Sequence, residues 1–135
     1  MNRLVIDTNS LIRSVPRRSP FHDLWLSLFD GRNYFCVTNE ILEEYAEIIS
    51  IKASEELANN VIKAILNNPY TLFITPYYSF NLITKDQDDN KFVDCAIAGN
   101  ARFVVTNDHH FNELKDVEFP KVDIISLEDI MELLT

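Results

Sequence analysis

Cysteine is nearly absent. The chain has two, Cys36 and Cys95, far apart and in no CxxC pair. That excludes a disulfide framework and gives a Cys/His zinc site no support. Each lies among apolar neighbours, Phe35-Cys36-Val37 and Val93-Asp94-Cys95-Ala96, so both are expected as buried free thiols. Positive charge is also scarce: Lys and Arg total 12 against 21 Asp and Glu, a net charge of −9. This excludes a nucleic-acid binder that works by phosphate neutralisation alone. It leaves room for a basic partner, and for an enzyme whose carboxylates are covered by divalent metal. No apolar run reaches the length of a membrane span. The run that begins at Leu4 is cut short by Asp7, so no secretory leader is read and a cytoplasmic protein is expected. There is no internal repeat, low-complexity segment or linker, and 135 residues are expected to form one domain over 1–135.

What is present begins with Leu4-Val5-Ile6-Asp7-Thr8-Asn9. Three apolar residues in a row read as a short strand buried on both faces, as in a parallel sheet. The strand ends in Asp7 and two small hydrogen-bonding residues. A carboxylate at the carboxyl end of a central parallel strand lies where open α/β sheets bind ligands. The pattern recurs at Arg102-Phe103-Val104-Val105-Thr106, which ends in Thr106-Asn107-Asp108. Neighbouring parallel strands ending this way would bring Asp7 and Asp108 to one sheet edge. Tyr34–Val37, Tyr70–Thr75 and Val122–Ser126 read as further strands.

Helices are expected between them. Ser19 or Pro20 starts one that carries Leu24, Trp25, Leu28 and Phe29 to Gly31, with Trp25 in the core. Thr38 or Asn39 caps another, whose apolar face is Ile41, Leu42, Tyr45, Ile48 and Ile49. Glu40, Glu43 and Glu47 lie on its solvated side, whereas Glu44 sits at the stripe edge, from which a helix can aim one charge into a cleft. Residues 53–67 form a helix with Leu57, Val61, Ala64 and Ile65 inside. Phe73, Tyr77, Tyr78 and Phe80 are expected in the core or a packed loop. The stretch Lys85 to Phe92 lacks the glycine and terminal glutamate of a calcium loop and reads as an acidic cap on the helix Phe92–Ala98. Arg13, Arg17 and Arg18 form a positive stretch just after Asp7, equally readable as a solvated loop or as a lip that holds a polyanion. Strands alternating with helices make the chain α/β with a mostly parallel sheet.

Carboxylates gathered at one edge raise one another's pKa or bind a cation. Mg²⁺ and Mn²⁺ take oxygen ligands, and such ions activate water and clamp phosphodiesters. The set Leu4 to Asn9, Thr38 to Tyr45, Asp88-Asp89-Asn90-Lys91-Phe92 and Val104 to Asp108 resembles the PIN-domain family. Within it the set looks most like the VapC-like ribonucleases, the toxin branch of toxin–antitoxin pairs. The resemblance spans essentially the whole chain. It implies a PIN-like, Rossmann-like three-layer α/β/α fold around a mostly parallel sheet of four to five strands. It also implies an endoribonuclease dependent on one or two Mg²⁺ or Mn²⁺ ions. By the same resemblance Asp7, Glu44, Asp89 and Asp108 are the catalytic, metal-holding acids. Asp88 and Asp94 compete for the third place, and Asp89 keeps the spacing to Ala96 and to the following strand. Thr8, Asn9 and Thr106 match the small polar positions that orient the acids or hold water on the metal, and Arg13, Arg17 and Arg18 are candidates for the RNA backbone. An antitoxin protein and a homodimer are the partners implied. One departure is His110 in Asp108-His109-His110, where many members carry an acid or amide; it reads as an exposed loop histidine.

Two other readings stand beside this one. A non-catalytic PIN-fold module would bind RNA or protein without cutting. A phosphatase-like hydrolase would use Asp7 as nucleophile, but it would need an aspartate where Asn9 stands.

Overall fold

The computed structural model describes residues 1–135. Five strands, β1 (Asn2–Ile6), β2 (Asn33–Val37), β3 (Thr71–Phe73), β4 (Phe103–Val105) and β5 (Ile124–Ile125), form one sheet in the order β3-β2-β1-β4-β5. Every pairing is parallel. The helices α1 (Thr8–Ser14), α2 (His22–Ser27), α3 (Asn39–Lys52), α4 (Glu55–Asn67), α5 (Asn90–Ala98) and α6 (Leu127–Leu134) flank it. The fold is the α/β arrangement expected, with all five strands parallel.

The central strand shows why. Side chains alternate between the two faces of a strand, yet Leu4, Val5 and Ile6 are all fully buried, so both faces of β1 are covered. In β4 Val104 and Val105 are buried in the same way. From β1 the chain steps outward through β2 to β3, then crosses back to β4 on the other side. The strand order therefore reverses between β1 and β4, and the register there sets Ile6 opposite Val105. The residues just past those two strands are Asp7 and Thr106, at a topological switch point.

Caps fix the helix starts. Thr38 Oγ1 accepts from Ile41 N at 3.1 Å, Ser54 Oγ from Leu57 N at 3.0 Å, and Ser126 Oγ from Asp129 N at 3.0 Å. Asp7 caps α1 and accepts from Ser10 N at 2.9 Å. Tyr45, fully buried on α3, donates its hydroxyl to the Ile6 carbonyl and so ties that helix to the end of β1. Tyr45→Phe leaves that carbonyl without its side-chain partner. It is expected to cost about 1 kcal/mol and lower the melting temperature by a few degrees in thermal unfolding.

Several local expectations need correcting. The second helix is shorter than predicted, spanning His22–Ser27, and Phe21 gives it no side-chain cap. In α4 Val61 and Ile65 are buried as expected, but in the first turn Ala58 takes the inner position and Leu57 is 37 % exposed. The aromatic group is not core: Phe73, Tyr77, Tyr78 and Phe80 are all exposed. β3 is an edge strand of three residues, and past Pro76 the chain leaves the sheet without regular structure, so these rings find no layer to pack under. Cys36 and Cys95 are free and buried, as expected. No helix is long and apolar enough to cross a membrane.

Candidate active site

The carboxyl ends of β1 and β4 supply the first two acids. Asp7 follows Ile6 directly, and its backbone N–H donates to the Val105 carbonyl at 3.1 Å, so its position is locked to the sheet. Its side chain is only 6 % exposed. Thr106, the residue after β4, donates its hydroxyl to Asp7 Oδ2 and accepts from the Asp108 backbone N–H at 3.0 Å. One threonine thus orients both aspartates. Burial pushes the Asp7 carboxyl above its ordinary range; the bonds from Ser10 and Thr106 oppose this, and Asp108 adds to it.

Asp89 ends a 3-10 turn, Gln87–Asp89, that leads directly into α5. Burial raises its pKa to about 7, with further push from Asp86, Asp108 and Asp7 and an opposing pull from His110. His110 Nδ1 lies 3.7 Å from Asp89 Oδ2 and 3.3 Å from Asp108 Oδ1, which places Asp89 beside Asp108. Its two sequence competitors lie elsewhere. Asp88 is exposed, and Asp94 turns to the loop before α5, where its Oδ1 accepts from Phe80 N at 3.1 Å.

Glu44 joins from α3. Thr8, the first residue of α1, donates its hydroxyl to Glu44 Oε2, and Lys91 Nζ lies 2.5 Å from Oε1. Lys91 stands two residues past Asp89 at the start of α5, so it brings a fixed cation to the acids. Sequence reasoning gave Lys91 no role, although its place between Asp89 and the apolar face of α5 was visible.

The supporting residues divide. Thr8 and Thr106 contact the acids, whereas Asn9 is exposed and its Oδ1 accepts from Lys52 Nζ at 3.1 Å. Asn9, Lys52 and Arg13 share with Asp7 and Asp108 the lining of an open cleft of about 420 Å³. Arg13 also packs its guanidinium over Phe21, 4.8 Å from the ring centre. Arg17 and Arg18 are exposed and do not line the cleft.

His110 is not the exposed histidine expected. Its side chain is 29 % exposed, and Nδ1 lies 3.3 Å from Asp108 Oδ1 and 3.7 Å from Asp89 Oδ2. Asp108 Oδ1 also accepts from the His110 backbone N–H at 2.9 Å, which fixes the chain at that residue. Asp89 Oδ2 and His110 Nδ1 are both shielded from solvent and have no hydrogen-bond partner. Orphaned buried atoms of this kind need a partner, and a divalent cation suits a set rich in carboxylate oxygens.

Solved structures share the fold. A VapBC2 complex from Rickettsia felis bound to a promoter DNA fragment contains a chain of TM-score 0.64 and 17 % identity. That match covers 92 % of this chain and 98 % of the other. A DNA-bound VapBC from Salmonella typhimurium gives TM-score 0.63 at 15 % identity, covering 94 % and 99 %. VapBC-1 from nontypeable Haemophilus influenzae gives 0.61 at 13 %, covering 93 % and 98 %. No curated protein matches the chain significantly by sequence. The family model for the PIN domain matches residues 3–110, from β1 through His110. The chain therefore belongs to the PIN-domain family.

Proposed function

We propose that this chain is a Mg²⁺- or Mn²⁺-dependent endoribonuclease, one nuclease domain over 1–135, and the toxin of a toxin–antitoxin pair. The observation that carries the reading is the meeting of Asp7 and Asp108 on one threonine at the switch point, with Asp89 across His110 from Asp108 and its Oδ2 left unpartnered. Asp7, Asp108, Glu44 and Asp89 would hold the cation. Bound there, a divalent ion supplies activation of water and neutralises charge on the phosphodiester.

The chain's own residues do the rest. Thr106 sets the angle between Asp7 and Asp108. Thr8 fixes Glu44, and Tyr45, its neighbour on α3, anchors that helix to β1. Arg13 and Lys52 stand at the cleft rim, where each can meet a backbone phosphate and offset the acidic surround. The antitoxin reading draws on the three VapBC complexes, all under 25 % identical to this chain, and on a cleft whose acids suit a basic or aromatic tail. A homodimer fits the same class.

One observation favours the non-catalytic module instead: Lys91 already occupies one oxygen of Glu44. Labelled single-stranded RNA incubated with the protein in Mn²⁺, in Mg²⁺ and in EDTA separates the two. Cleavage that needs metal and is lost in Asp108→Asn is expected. Metal binding without cleavage of any of several RNAs would favour the module.

A further inference from the structure

We propose that Asp86 and His110, with Asp89 between them, form a second cation position that takes a nitrogen ligand and prefers a first-row transition ion such as Mn²⁺ over Mg²⁺. It rests on the metal-dependent reading of the neighbouring acids.

Three ligand atoms, one from each residue, lie within 4.8 Å of one another. His110 Nδ1 is 3.8 Å from Asp86 Oδ2 and 3.7 Å from Asp89 Oδ2. An ion with bonds of about 2.1 Å spaces its ligands about 3 Å apart when adjacent and about 4.2 Å apart when opposite. The observed spacings fall between, so small side-chain movements close the site. Direct hydrogen bonds do not explain the arrangement: both Asp89 Oδ2 and His110 Nδ1 are shielded and unpartnered.

The local chain holds these groups where they are. Asp86 and Asp89 bracket the 3-10 turn. Asp86 uses Oδ1 to accept from Asp88 N at 3.1 Å, which leaves Oδ2 to face His110. Asp108 accepts from the His110 backbone N–H, which anchors the main chain that carries the ring. Lys91 is committed to Glu44 and forms no ion pair with Asp86 or Asp89. The chemistry then follows from ligand type. Mg²⁺ favours oxygen donors and its own water, whereas an imidazole nitrogen strengthens binding of transition ions.

The test uses the untagged full chain loaded with Mn²⁺ and pulsed electron paramagnetic resonance for nitrogen coupling. Wild type is expected to show one imidazole nitrogen on Mn²⁺. His110→Gln should lose it, and the exposed neighbour's variant, His109→Gln, should keep it. By calorimetry Asp86→Asn should weaken Mn²⁺ binding about tenfold or more and change Mg²⁺ binding less. No nitrogen coupling in wild type, coupling that survives His110→Gln, or equal losses for both ions would overturn the proposal. The wild-type spectrum needs no variant to fold. RNA cleavage measured on the same samples keeps the two readings apart. Cleavage without nitrogen coupling sinks the second position and leaves the nuclease; coupling without cleavage does the reverse.

Discussion

Asp7→Asn is expected to slow metal-dependent RNA cleavage at least about a hundredfold while raising the melting temperature of the protein in EDTA by a few degrees. Loss of a group that merely orients a metal ligand costs 10–100-fold in affinity or activity, so loss of a ligand itself should cost at least the upper end. The gain in stability comes from burial. Asp7 is almost wholly enclosed, and its carboxyl is held above the ordinary range chiefly because the charged form is desolvated there. Asparagine removes that charge and keeps the cap, since its side-chain oxygen still accepts from Ser10 N. The Thr106 hydroxyl, which donates to Asp7 Oδ2, can turn and accept from the amide instead. Opposite signs for activity and stability mark a residue kept for chemistry. Unchanged cleavage in a clean preparation would remove Asp7 from the site. A lower melting temperature would mean that Thr106 cannot make the exchange.

The same two residues show what a linear reading can reach. Asp7 and Thr106 are legible because the signal is local: an uninterrupted apolar strand, then a small polar or acidic residue, twice. The parallel sheet follows from that burial pattern, and Glu44 from its place at the edge of an amphipathic stripe. What stayed hidden depends on contacts between distant segments. Lys91 meets Glu44 across 47 positions, and His110 meets Asp86 only because the 3-10 turn before α5 faces a second 3-10 segment, His109–Asp116, that follows β4. A histidine in a polar stretch carries no sign of whether its ring turns inward; here it lies against Asp108 and Asp89, which come from different segments. The aromatic run from Phe73 to Phe80 misled for the opposite reason. Its composition suits a core, but a three-residue edge strand ending near Pro76 leaves it no covering layer. Arg17 and Arg18 lie close to Asp7 in sequence, yet α1 ends at Ser14 and only Arg13, on that helix, reaches the cleft.

The acids also make the stability of the protein depend on pH in a direction unusual for carboxylates. Asp89 has its folded pKa raised from 3.8 to about 7. A group raised in the folded state binds its proton more tightly there. Its contribution is therefore fully present below about pH 4 and is lost as pH climbs to about 7. In EDTA the unfolding free energy should fall across that window by on the order of 1–2 kcal/mol, a figure reduced for the screening that water provides at the open cleft. Asp7 and Asp94 are raised too and act with the same sign. Asp23 and Asp30, held low by Arg32, act in the opposite sense, but their contribution is lost only as pH falls below the ordinary carboxylate range, outside the window. Asp89→Asn should flatten the slope, which isolates this residue from the others. Saturating Mn²⁺ should reverse it, because a cation that binds only the folded form adds about 2.7 kcal/mol at a hundredfold excess over its Kd. The measurement is chemical denaturation at several pH values, with EDTA and with Mn²⁺, for both proteins. A wild-type curve as flat as that of Asp89→Asn would show that water already relieves the burial of Asp89 and its repulsion by Asp86, Asp108 and Asp7. The cluster would then hold no electrostatic stress for a cation to relieve.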